Sequence, residues 1–94
     1  MLKSEAAKIM TKVTFEIGEA EKHVMEVDWS LFMKHLVIKL DGEKVADKFH
    51  YSPAPETFHF DVGNNEMHQV EISAGGFSPI KVYVDGKATQ KLRL

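Results

Sequence analysis

The chain has 94 residues, 12 Lys and Arg against 14 Asp and Glu, five His and no Cys. That length suits a single domain, which buries about 60–65% of the surface its unfolded chain exposes. Lack of cysteine excludes a disulfide framework, a zinc ribbon and a thiol nucleophile.

No apolar run approaches the roughly 20 residues that cross a bilayer. Lys3, Glu5 and Lys8 interrupt the amino end, where a signal peptide would be continuously apolar. The expectation is a cytoplasmic protein with no membrane contact.

Residues 4–12 carry the one helical pattern. Ser4 suits a cap, Glu5 the first turn, and Ala6, Ala7, Ile9 and Met10 an apolar stripe. Nine residues are marginal as an isolated helix. Residues 1–12 are therefore expected to form an amino-terminal segment, helical or disordered, and 13–94 a single β-sandwich domain.

From Val13 onward the chain alternates as half-buried strands do, because successive strand side chains point to opposite faces. Val13, Phe15 and Ile17 share one parity; Met25, Val27 and Trp29 share the next, and Leu36, Ile38 and Leu40 the third. Asp41-Gly42 predicts a type I′ turn, since both residues accept positive φ. Val45, Phe49 and Tyr51 are then expected on one face of the returning strand. Pro53 and Pro55 lack amide donors and mark a connecting loop.

The second half follows the same pattern. Phe58, Phe60 and Val62 alternate with His59 and Asp61, Gly63-Asn64-Asn65 turns the chain, and Val70 and Ile72 return it. Gly75-Gly76 and Pro79 precede Ile80, Val82 and Val84, and Asp85-Gly86 is a second turn of the Asp-Gly kind. Residues 38–43 and 82–87 resemble each other at a spacing of 44. Two hairpins sharing one turn solution, rather than an internal duplication, are the expectation, although six residues do not decide between them. The fold class is all-β, an antiparallel sandwich of seven to eight short strands.

Charge and motifs exclude several functions. Six of the 12 basic residues lie at the ends, whereas residues 13–86 hold six basic against 13 acidic residues. A body at −7 repels phosphate, so no nucleic-acid partner is expected. The sequence has no Gly-x-Ser-x-Gly elbow, His-Glu-x-x-His pair, phosphate loop or dinucleotide fingerprint. The acids fall mostly at outward parity, where water keeps them ordinary. The chain is read as a non-enzyme without a cofactor.

Histidines offer one alternative chemistry. His35, His50 and His59 fall at outward parity, His23 and His68 at inward parity or at strand ends. His50 and His59 flank the Pro53–Pro55 loop and would form a divalent-metal pair if their strands were neighbours. Asp61, Asn64, Asn65 and Glu66 bring oxygens together without EF-hand spacing, and a turn explains them better.

Residues 29–34, Trp-Ser-Leu-Phe-Met-Lys, break the alternation. On a strand, Leu31 and Met33 would face opposite Phe32, so one set is covered by a second layer or meets another chain. Leu31, Phe32 and Met33 are thus the candidate partner-binding residues. Trp29 is assigned to the core.

The stretch Glu56-Thr-Phe-His-Phe-Asp-Val-Gly-Asn-Asn-Glu-Met-His-Gln-Val-Glu-Ile-Ser-Ala-Gly75 resembles the Fas apoptotic inhibitory molecule family. Its strand, Val-Gly-Asn turn, returning strand and glycine loop are similar, as is the closing Ile80-Lys-Val-Tyr-Val-Asp-Gly86. The resemblance spans about 70 residues and is strongest over 56–86. It implies one compact β-sandwich, where the animal proteins have two related domains, and roles in protein–protein contact and protection against aggregation. The functional expectation is a protein-interaction module, with an edge strand available for pairing with a second copy. A small-ligand or metal-binding sandwich using His50 and His59 is the alternative.

Overall fold

A computed structural model describes residues 10–88. Those residues form eight antiparallel strands and no helix. They are β1 (Met10–Ile17), β2 (His23–Ser30), β3 (His35–Leu40), β4 (Glu43–Phe49), β5 (Glu56–Val62), β6 (His68–Ala74), β7 (Lys81–Val84) and β8 (Lys87–Ala88).

Each half of the chain makes its own sheet in simple up-and-down order, β1-β2-β3-β4 and β5-β6-β7-β8. The two sheets share one apolar core, as a β-sandwich requires. Residues 10–12, expected to end a helix, instead open β1 by pairing with 28–30. The rest of that expectation lies outside the described residues.

The core is the set that the alternation selects. Val13, Phe15 and Ile17 of β1, Met25, Val27 and Trp29 of β2, and Leu36 and Ile38 of β3 are buried. They share a cluster with Val62, Val70, Ile72, Ala74 and Val82 of the second sheet, and Phe58, Phe60, Ile80 and Val84 pack against it. Trp29 satisfies its indole by donating Nε1–H to the Gly76 carbonyl at 3.1 Å, a buried bond across the sandwich. Such a bond contributes about 0.5–1.5 kcal/mol net.

The returning strand β4 differs from its expectation. The ladder pairs Ile38 with Ala46 but Lys39 with Lys44, so Val45 is the extra residue of a bulge. A one-residue slip moves every side chain beyond it to the other face. Ala46 is accordingly the half-buried position, while Val45, Phe49 and Tyr51 face solvent.

The similarity between the halves reaches well beyond the Asp-Gly turns. With a shift of 45 residues, Phe15, Gly18, Glu21, His23, Glu26 and Phe32 correspond to Phe60, Gly63, Glu66, His68, Glu71 and Phe77. After one residue is lost from the second half, Asp41-Gly42 corresponds to Asp85-Gly86. The backbone agrees: φ is +97° at Gly18 and +116° at Gly63, and a Cβ at either would collide with the carbonyl oxygen three residues on, of Glu21 and of Glu66. Asp41 and Asp85 have φ of 51° and 53°.

This arrangement puts the loops into two groups. Residues 18–22, 41–42, 63–67 and 85–86 lie at one end, and 31–34, 50–55 and 75–80 at the other. Phe15 fills the centre and Phe32 sits on an exposed turn, so the same truncation should cost differently at the two positions. Phe15→Ala should lower stability by about 3–5 kcal/mol, and Phe32→Ala should stay within about 0.5 kcal/mol. Urea denaturation of both variants checks this.

Candidate functional site

The end holding residues 18–22 and 63–67 is built from a reciprocal exchange. The Glu66 carboxylate accepts the backbone N–H of Glu19 at 2.9 Å, of Ala20 at 2.8 Å and of Glu21 at 2.9 Å. The Glu21 carboxylate accepts those of Asn64 at 2.7 Å, Asn65 at 2.7 Å and Glu66 at 3.0 Å. Each Oε1 takes two amides; each Oε2 takes one amide and one histidine ring nitrogen. Neither glutamate has an acceptor position left over for a third partner on the same oxygen.

The histidines stand at the starts of β2 and β6. His23 lies between Glu21 Oε2 and Asp41 Oδ2, and His68 between Glu66 Oε2 and Asp85 Oδ2, every distance being 2.6 Å. Both ring nitrogens must donate, which the doubly protonated imidazolium does and the neutral ring does not. Asp41 also accepts from Val24 N–H at 2.9 Å, and Asp85 from Gln69 N–H at 2.9 Å. These bonds tie the Asp-Gly turns to the neighbouring strand.

Titration follows the geometry. The bond from His23, with the amides of residues 64–66, draws Glu21 down to about 2. The Glu21 amide, then His68 and the Glu19 amide, do the same to Glu66, also to about 2. His23 is raised by Asp41 and then Glu21, and His68 by Asp85 and then Glu66.

The oxygen-bearing run at 61–66 is therefore a turn whose amides point at an anion. The three consecutive donors at 64–66 are the opposite of a cation site. Among the described residues no group of three or more His, Asp or Glu is arranged to hold a metal ion.

The proposed metal pair does not form. β4 and β5 belong to different sheets, so His50 and His59 are not on neighbouring strands. His50 is buried, at 8% exposure, rather than outward. The bulge at Val45 reverses the parity beyond it, so His50, just past the end of β4, falls on the inward face with Ala46. Its Nε2–H donates to the Ala54 carbonyl at 2.6 Å, its Nδ1 lies 3.3 Å from Glu56, and its ring sits edge-on to Trp29. A Cβ on Gly75 would come within 2.7 Å of that ring, so glycine makes its room. His59 lies on the outer face of β5, against Glu71 of β6 at 4.0 Å.

At the opposite end the surface is apolar. Phe32 and Met33 of the 31–34 turn are exposed, Phe32 at 75%, whereas Leu31 packs half-buried on the core. Two of the three candidate residues thus face outward. Phe77, the counterpart of Phe32, is 74% exposed on the 75–80 loop, with the Lys34 ammonium 5.9 Å from its ring centre. Phe49 and Tyr51 are exposed and stack at 6.1 Å, and the His35 ring lies 5.0 Å from Phe49. A depression of about 290 Å³ runs beside them, lined by Asp28, Trp29, Ser30, Met33, His35 and Val37.

These loops are held from beneath. His50 N–H donates to the Lys34 carbonyl at 2.9 Å, and Phe77 N–H to the Pro53 carbonyl at 3.2 Å. The sequence did not single out Phe77 or Glu21; Phe49 and Tyr51 were expected along one face of the returning strand, and Glu66 only as one oxygen of a turn. The Gly-x-x-Glu-x-His repeat at 18–23 and 63–68 was the available signal for the glutamates.

No family model, no curated protein and no solved structure matches the chain.

The pH dependence of stability has a definite sign. Carboxylates lowered in the folded state stabilise it above their ordinary value of 4.5, and that contribution is lost as pH falls toward about 2. Histidines raised in the folded state stabilise it below 6.5, and that contribution is lost as pH rises through their folded values. The melting temperature should therefore be highest between about 4.5 and 6.5 and fall on both sides. In a His23→Gln, His68→Gln double variant the decline on the alkaline side should flatten, as calorimetric scans across pH would show.

Proposed function

We propose that the protein is a non-catalytic, cytoplasmic protein-interaction module whose partner docks on the apolar end of the sandwich. The observation that carries this reading is the group of exposed Phe32, Met33, Phe49, Tyr51 and Phe77 at one end of the sandwich. Aromatics and Met are enriched at protein interfaces, and grouped apolar exposure marks such surfaces more reliably than isolated residues do. The bonds beneath them, from His50 and Trp29, hold the loops in place before binding, which lowers the ordering cost of association.

Three of the five histidines are committed to structural bonds. His23, His50 and His68 each have both ring nitrogens engaged, so none of these three offers a free imidazole nitrogen to take a proton from a substrate. The likeness of residues 56–86 to the Fas apoptotic inhibitory molecule family supports the same reading. A surface of this kind also suits the exposed apolar segments of unfolded chains, in keeping with protection against aggregation.

The test begins with capture from a lysate of the source organism, followed by titration of the purified partner. Phe32→Asp and Phe77→Asp should each weaken binding about tenfold or more, equivalent to about 1.4 kcal/mol. Glu43→Gln, at the opposite end, should leave it unchanged. Unaltered affinity in a folded Phe32→Asp, Phe77→Asp double variant would place the partner elsewhere.

A further inference from the structure

We propose that the turns at residues 18–21 and 63–66 are carboxylate-binding sites, each filled in this structure by a glutamate of the other half. Each turn presents three successive backbone N–H donors to one carboxylate, at 2.8–2.9 Å in the first and 2.7–3.0 Å in the second. A positive-φ glycine opens each turn, a conformation that aims successive amides into one concavity. The fourth donor comes from the half that owns the glutamate: His68 for Glu66 and His23 for Glu21.

The site is made twice from different side chains. Glu19 and Ala20 stand in the first turn where Asn64 and Asn65 stand in the second, yet the pattern of donors on the two oxygens is the same. Recognition therefore belongs to the backbone, and to the planar group with two acceptor oxygens that it surrounds. Both occupying side chains remain about a quarter exposed or somewhat less, 21% for Glu21 and 26% for Glu66. Cutting one back to its Cβ opens its receptor to solvent and leaves all four donors in place.

The chemical class of ligand is thus a small monocarboxylate or a carboxylate side chain, bound by charge-assisted hydrogen bonds. The site is separate from the apolar end and does not depend on what docks there.

The experiment is chemical rescue with acetate. Glu66→Ala should melt well below the wild type in sodium chloride at pH 6.5, and regain several degrees, rising with the logarithm of acetate concentration, when acetate replaces chloride at equal ionic strength. Binding to the folded state alone raises stability in that logarithmic way. Wild type should show no such rise, and the Glu19, Ala20 and Glu21 amide resonances of the variant should move with acetate. Glu21→Ala should behave alike, through the amides of residues 64–66.

If Glu66→Ala is unfolded in chloride, recovery of a dispersed amide spectrum in acetate supports the proposal, and no recovery overturns it. Equal effects of acetate and chloride on folded variants overturn it as well. Equal rescue by sulfate would overturn the assignment to carboxylates in favour of a general anion site.

Discussion

Three consecutive amides at the tip of a hairpin cannot be satisfied by either neighbouring strand, because the ladder ends before them. In this molecule they are satisfied across the sandwich, by a glutamate whose own turn is satisfied in return. Much of the structure is arranged around that constraint. It fixes the first sheet against the second at one end, and it requires a histidine beside each glutamate to complete the oxygen's donors. Each histidine then needs an aspartate on its other nitrogen, which the Asp-Gly turns supply. Part of the acidic excess of the body is thus internal: four of its carboxylates are engaged by eight backbone amides and two imidazolium rings.

The two ends divide the work. At the polar end every acceptor of the exchange is engaged, and the chain has little freedom to rearrange without stranding a charge. At the other end the bonds lie lower down, in the group of Trp29, His50, Gly75 and Gly76, and aromatic side chains project beyond them. The up-and-down order of an even number of strands in each sheet brings the 31–34, 50–55 and 75–80 loops together at that end. Fold, rigidity and exposed surface therefore follow from one topology.

The sequence allowed most of the sandwich to be read, because period-two alternation survives wherever one face of a strand is buried. β1, β2, β3 and β6 follow it, and Trp29 lies where its parity puts it. The reading fails where period two is interrupted. A bulge at Val45 reverses the faces beyond it, turning Phe49 and Tyr51 outward and His50 inward. The exchange between Glu21 and Glu66 joins residues 45 apart, and alternation carries no information about such contacts. Its trace was present as a repeated Gly-x-x-Glu-x-His, but the one-residue difference between the 45 and 44 spacings divides the repeat into two short matches. Phe32 was visible because it broke a pattern; Phe77 was not, since Gly-Gly-Phe-Ser-Pro reads simply as a loop.

A fastening made from backbone donors asks little of the residues that supply it. Any amino acid except proline brings an amide to positions 19, 20, 64 and 65, so only the glycine, the glutamate and the histidine of each turn are specified by chemistry. The rest of the loop is free to drift without loosening the joint. A fold secured in this way can therefore keep its architecture while its text becomes almost unreadable, leaving three letters at a fixed spacing, written twice, as its durable signature.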